Sequence, residues 1–185
     1  GCMIDITKLK SVYMIGVKGV GMAMVAERLA ARGVAVAGSD TGETFMTDAS
    51  LKRAGVAVFD GFDPDRVPAE VDAIIYSTAY NERTNREVAR ALAGRVPVLT
   101  FAEAMASIVN SMYGITVVGS HGKTTTTAWL GFVLMSAGKD PSVMVGATVP
   151  QFSGTGRLGM SDYLVVEADE YQNKLRYYEP KAAIL

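Results

Sequence analysis

Short unbroken apolar runs alternate with amphipathic stretches along the first hundred residues. Val12-Tyr13-Met14-Ile15 has no polar alternation and reads as a strand covered on both faces. A tight loop, Gly16 to Gly21, follows it, and the periodicity then predicts a helix over residues 22–31, closed by Gly33. Residues 34–37 form a second apolar run, which stops at Gly38-Ser39-Asp40. The same reading gives a helix over 49–54 and strands over 56–59 and 71–76. It continues with a helix over 83–92, a short strand over 96–99 and a helix over 101–111. Strands and helices in strict alternation predict a doubly wound parallel sheet.

The rhythm restarts at Ile115-Thr116-Val117-Val118, a buried strand leading into a second Gly-rich loop and a helix through residue 135. Tyr163-Leu164-Val165-Val166 is another apolar run, ending at Glu167, and residues 182–185 open a further strand. The fold class expected is therefore α/β. A Rossmann-like parallel-sheet domain spans 1–107, and the first part of a P-loop-type α/β domain spans 108–185. A sheet interrupted at its last strand leaves an open edge, which invites self-association or pairing with another chain.

Composition narrows the classes of function. The 185 residues are 49% hydrophobic and 20% charged, enough apolar material for a sizeable core. A formal net charge of −1 offers no basic excess for a nucleic-acid backbone. No apolar run is long enough to span a bilayer, and residues 3–8 lack the apolar core of a signal peptide, so a cytoplasmic protein is expected. One cysteine, Cys2, excludes an internal disulfide and a Cys-rich zinc site. The one histidine, His121, lies inside a Gly-rich loop, a poor place for a Ser-His-Asp arrangement.

That loop carries the strongest chemical signal. Gly119-Ser120-His121-Gly122-Lys123-Thr124-Thr125 comes directly after a strand and opens a helix. Such a turn aims backbone N–H groups and a helix N-terminus at a phosphate; Lys123 can reach the outer phosphates, and the Thr124 hydroxyl can ligate Mg²⁺. The usual position of the first glycine holds Val117, so the loop is short. Glu167 ends an apolar strand, where a second magnesium-holding carboxylate belongs, and Asp169 and Glu170 follow it. The earlier loop, Gly16-Val17-Lys18-Gly19-Val20-Gly21, has lysine where a dinucleotide loop wants its second glycine. Asp40 stands where an acid can bond a ribose hydroxyl, and Ser77-Thr78-Ala79 lies on the carboxyl edge of the sheet.

Taken in order, these segments resemble the Mur ligases of peptidoglycan synthesis. The likeness rests on a Gly-rich loop ending in Gly21-Met22, then Gly38-Ser39-Asp40, then Gly119-Ser120-His121-Gly122-Lys123-Thr124-Thr125-Thr126, then Glu167-Ala168-Asp169-Glu170. The resemblance implies an ATP-dependent ligase that joins the carboxylate of UDP-N-acetylmuramate to the amine of L-alanine through an acyl phosphate. The alternative within the family is the ligase that recycles murein peptide. It further implies that Gly16, Val17, Lys18, Gly19, Val20, Gly21 and Met22 face the UDP-sugar diphosphate, with Ser39, Asp40, Ser77 and Thr78 nearby. Gly119, Ser120, His121, Gly122, Lys123 and Thr125 would hold ATP, and Thr124 and Glu167 the Mg²⁺. Lys123 and Glu167 would be the catalytic pair. Lys18 departs from the glycine common in the alanine ligases, and Tyr171-Gln172-Asn173-Lys174 is closer to the recycling ligase, which leaves the acceptor open. As the front part of a ligase, the chain is expected to bind without ligating. Two rival classes are a NAD-dependent oxidoreductase, which leaves the Lys123 loop unexplained, and a non-catalytic nucleotide-binding module.

Overall fold

The computed structural model describes residues 4–149, 154–167 and 181–185. The chain divides into two compact units, Gly1–Met105 and Ala106–Leu185, and each is α/β. Among the described residues no helix is long and apolar enough to cross a membrane.

The first unit is Rossmann-like. Its elements are β1 (Ser11–Ile15), α1 (Val20–Ala31), β2 (Ala35–Asp40), α2 (Asp48–Arg53), β3 (Ala57–Asp60), β4 (Ala73–Tyr76), α3 (Arg86–Leu92), β5 (Val98–Thr100) and α4 (Phe101–Asn110), within which the first unit gives way to the second. The strands form a five-stranded sheet in the order β3-β2-β1-β4-β5, every pair parallel. Burial follows position in the sheet. Val12, Tyr13, Met14 and Ile15 of the central β1 are all buried, whereas β3 at the edge is largely exposed. The order reverses between β1 and β4, so the loops after these strands meet at the carboxyl edge, the switch point at which doubly wound sheets bind ligands.

Helix ends depart from the periodicity for local reasons. The periodicity starts the first helix at residue 22, but the helix begins at Val20, because Ala23 N–H already reaches the Gly19 carbonyl. It closes as expected at Gly33, which takes φ +85° just past the helix. The helix expected from residue 83 starts at Arg86. Asn85 caps it by accepting from the N–H groups of Glu87 and Val88, and Asn81 holds residues 83 and 84 in a separate turn.

The second unit contains β6 (Tyr113–Val117), α5 (Lys123–Ser136), β7 (Ser142–Val149), β8 (Gly154–Arg157), β9 (Tyr163–Glu167) and β10 (Ala182–Ile184). Its sheet runs β10-β6-β9-β7-β8, parallel except for the antiparallel pairing of β7 with β8. The strand expected at residues 182–185 does form, as an edge strand beside β6. The pattern of apolar runs assigns neither β7 nor β8. The segment Gly154-Thr155-Gly156-Arg157 carries no apolar side chain, so it leaves no periodic trace.

Candidate functional site

Strand register assembles the site of the second unit. β6 ends at Val117, and its neighbour β9 places Glu167 directly opposite that residue. The chain then turns through Gly119-Ser120-His121-Gly122, all exposed, and Gly122 adopts φ +74° to start α5 at Lys123. Thr124 in the first turn of the helix donates its hydroxyl proton to Glu167 Oε1 at 2.8 Å. Lys123 Nζ donates to the Gly119 carbonyl at 2.9 Å, so its ammonium lies over the loop it closes. Thr125 is exposed beside them. The structure thus brings the residues of the 119–125 loop together with Glu167, which is buried although charged. Asp169 and Glu170, and with them Tyr171 to Lys174, lie outside the described residues.

A magnesium ion is the group that this donor set suits. Thr124 and Glu167 present a hydroxyl and a carboxylate side by side, both hard oxygen ligands. Among the described residues no three His, Cys, Asp or Glu side chains gather into a cage. Magnesium needs none, since it commonly takes one or two protein oxygens and completes its shell with phosphate and water.

In the first unit the loop after β1 is built around Ser39. The Ser39 carbonyl, at the end of β2, accepts from the N–H groups of Gly16 at 2.8 Å and Val17 at 3.2 Å. Gly16 sits at φ +81°, and a side chain there would meet Ser77 Cβ at 2.8 Å and Tyr80 Cε2 at 2.9 Å. Loop and β4 edge therefore touch at the switch point. Gly19 and Val20 start α1, Val20 being 57% exposed. Gly21 packs on Phe101, and Met22 is buried. Thr78 is exposed, and Ser77 caps the turn after β4 by accepting from Ala79 N–H at 3.3 Å.

Four of the expected sugar-nucleotide residues face inward instead. Lys18 is only 5% exposed, and its ammonium contacts Thr41, Glu43, Asp48 and Asp60. Asp40 is buried too: Oδ2 accepts from Lys18 N–H at 2.7 Å and Oδ1 from Thr41 N–H at 2.8 Å. Its carboxylate latches the loop. Val17 is fully buried, and the Ser39 hydroxyl donates to Glu87 Oε2. The reason is shared. A loop held this tightly keeps its polar groups bonded inside and packs Val17 into the core.

Sequence reasoning passes over Glu87 and Tyr80. Glu87 is fully buried, and besides Ser39 it accepts from Tyr13 Oη at 3.3 Å and from Asp63 N–H at 2.9 Å. Burial, with this carboxylate alongside, raises the Tyr13 phenol above its ordinary value. An acid in the first turn of a helix ordinarily reads as a solvated complement to the helix dipole, so no local signal exposes this role. Tyr80 lies edge-on to Phe62, with ring centroids 5.0 Å apart. Burial and the nearby Asp40 and Glu43 raise its phenol.

Comparison with known proteins bears on the family and the fold. A family model described as Mur ligase family, catalytic domain, matches residues 11–113. A UDP-N-acetylmuramate–L-alanine ligase of Chlorobium luteolum is 35% identical over 98% of the chain and 38% of its own length. Among solved structures, a murein peptide ligase from Psychrobacter arcticus superposes with a TM-score of 0.71 at 25% identity, covering 95% of this chain and 42% of that one. A UDP-N-acetylmuramate-alanine ligase from Thermotoga maritima gives 0.59 at 27% identity, covering 86% and 36%. The chain thus spans about 38% of the length of this curated relative. With the family model covering more than half of the chain, and the fold shared with solved ligases, the chain belongs to the Mur ligase family.

Proposed function

We propose that the chain carries the sugar-nucleotide-binding and MgATP-binding parts of a cytoplasmic ligase of peptidoglycan precursor synthesis. The reaction joins the carboxylate of UDP-N-acetylmuramate to the amine of L-alanine. The observation that carries this reading is the Thr124–Glu167 contact at the foot of α5, beside Lys123 and the short Gly-rich loop. MgATP supplies a phosphoryl group able to activate a carboxylate toward an amine. Lys123 places positive charge where the outer phosphates crowd, and the start of α5 aims backbone N–H groups at the same region. Thr124 and Glu167 hold the metal that screens those phosphates. In the first unit, Gly16 turns the chain so that the start of α1, Gly19 and Val20, offers backbone N–H groups to the diphosphate, while Ser77 and Thr78 border it from β4. Recycling of murein peptide is the second reading, favoured by the likeness to the Psychrobacter arcticus ligase.

Calorimetry with the purified chain tests the proposal. Lys123→Ala is expected to weaken MgATP binding about tenfold or more, as for loss of a charge-assisted hydrogen bond. Glu167→Ala should weaken MgATP binding while leaving metal-free ATP binding much less affected. If both variants bind MgATP like the parent, the ATP site is misplaced. Separate titrations with UDP-N-acetylmuramate and NAD decide the first unit: heat with NAD alone would overturn the sugar-nucleotide reading.

A further inference from the structure

Lys18 stands in the middle of the Gly-rich loop, where a phosphate-facing cation would be expected, and every polar group it owns is engaged elsewhere. Its N–H donates to Asp40 Oδ2 at 2.7 Å, and its carbonyl accepts from Thr47 Oγ1 at 2.6 Å. An ammonium has three N–H donors. Here it faces the Thr41 carbonyl at 3.1 Å, the Glu43 carbonyl at 3.0 Å and Asp60 Oδ1 at 3.4 Å. Asp48 Oδ1 adds an ion pair at 3.6 Å, and the Phe45 ring covers the charge at 5.7 Å. All of the ammonium's partners belong to the chain from residue 41 to residue 60, which begins where β2 ends.

We propose that Lys18 is a positioning residue of the sugar-nucleotide site: its ammonium ties the loop of residues 41–47 to the Gly-rich loop and gives that side of the crevice its shape. The proposal rests on the sugar-nucleotide reading of the first unit. A lysine withdrawn to a phosphate would leave the Thr41 and Glu43 carbonyls and the accessible carboxylates of Asp48 and Asp60 without the one cation that draws them together. The effect of Lys18 on binding thus runs through the loop.

The two roles open to Lys18 predict opposite signs for one variant. If Lys18 positions the loop, Lys18→Met should raise the dissociation constant for UDP-N-acetylmuramate about tenfold, and Asp48→Asn with Asp60→Asn should raise it by less. The triple variant should then be no weaker than Lys18→Met alone, and Lys18→Arg should recover part of the affinity. If Lys18 instead grips the diphosphate, removing two negative charges tightens binding, and that result overturns the proposal. Hydrogen exchange on the ligand-free chain tests the same role without the sugar nucleotide. Amides of residues 41–47 should exchange faster in Lys18→Met, and unchanged protection there sinks the positioning role. A parent chain that binds no UDP-N-acetylmuramate would refute the proposed function, while the exchange result would still decide the role of Lys18.

Discussion

Asp72 shows how much a single exposed side chain can hold. Its Oδ2 accepts from the N–H groups of Lys10 at 2.6 Å and Ser11 at 3.0 Å, fastening the start of β1 to the turn before β4. These backbone bonds, that of Lys10 foremost, lower its carboxyl below the ordinary 3.8. Because the folded value lies below the unfolded one, the stabilisation is present above the unfolded value and is lost as pH falls through the folded one. Asp72→Asn should therefore lower the melting temperature at neutral pH, and the gap to the parent should close below about pH 4. A gap that stays constant with pH would mean that the charge contributes nothing. At this scale the residue types of the site are legible in the sequence, but the direction of their side chains is not. Lys18 and Asp40 have the right chemistry at the right places, yet both turn inward, because loop closure decides orientation and no spacing rule encodes it.

Elements are more legible than side chains wherever apolar runs are unbroken. β1, β4 and β9 carry continuous buried residues and can be found from that alone. The carboxyl ends of β2 and β9 run on into polar residues, because ladder pairing continues past the apolar stretch as far as Asp40 and Glu167. β8 is invisible, having nothing apolar to show. Close strand approach is a further property that pattern reading misses. In β2, Gly38 lies so near β1 that a Cβ there would stand 2.4 Å from the Met14 carbonyl and 3.0 Å from Val17 Cβ. Backbone on one side and a buried loop residue on the other cannot yield cheaply. Gly38→Ala is expected to destabilise the first unit by about 1–3 kcal/mol, read as a lower urea midpoint. An unshifted midpoint would show that the two strands can part without penalty.

Across the whole molecule, both units follow one plan: an interior strand, a glycine-rich turn at its carboxyl end, and a helix leading away. That plan is readable from the alternation of runs, whereas the hub beneath the first turn is not. Glu87 joins stretches of chain that lie far apart, its bonds to Tyr13, Ser39 and Asp63 spanning 74, 48 and 24 residues. Contacts between such distant positions gain nothing until the intervening loops have closed, so they form late on the way to the native state. Late contacts govern escape more than arrival. In stopped-flow chevrons Glu87→Gln should speed unfolding severalfold while leaving the refolding limb almost in place. Refolding slowed to match would instead put Glu87 in the nucleus. The buried carboxylate that shapes the Gly-rich turn at rest is then also the brake that sets how long the turn survives.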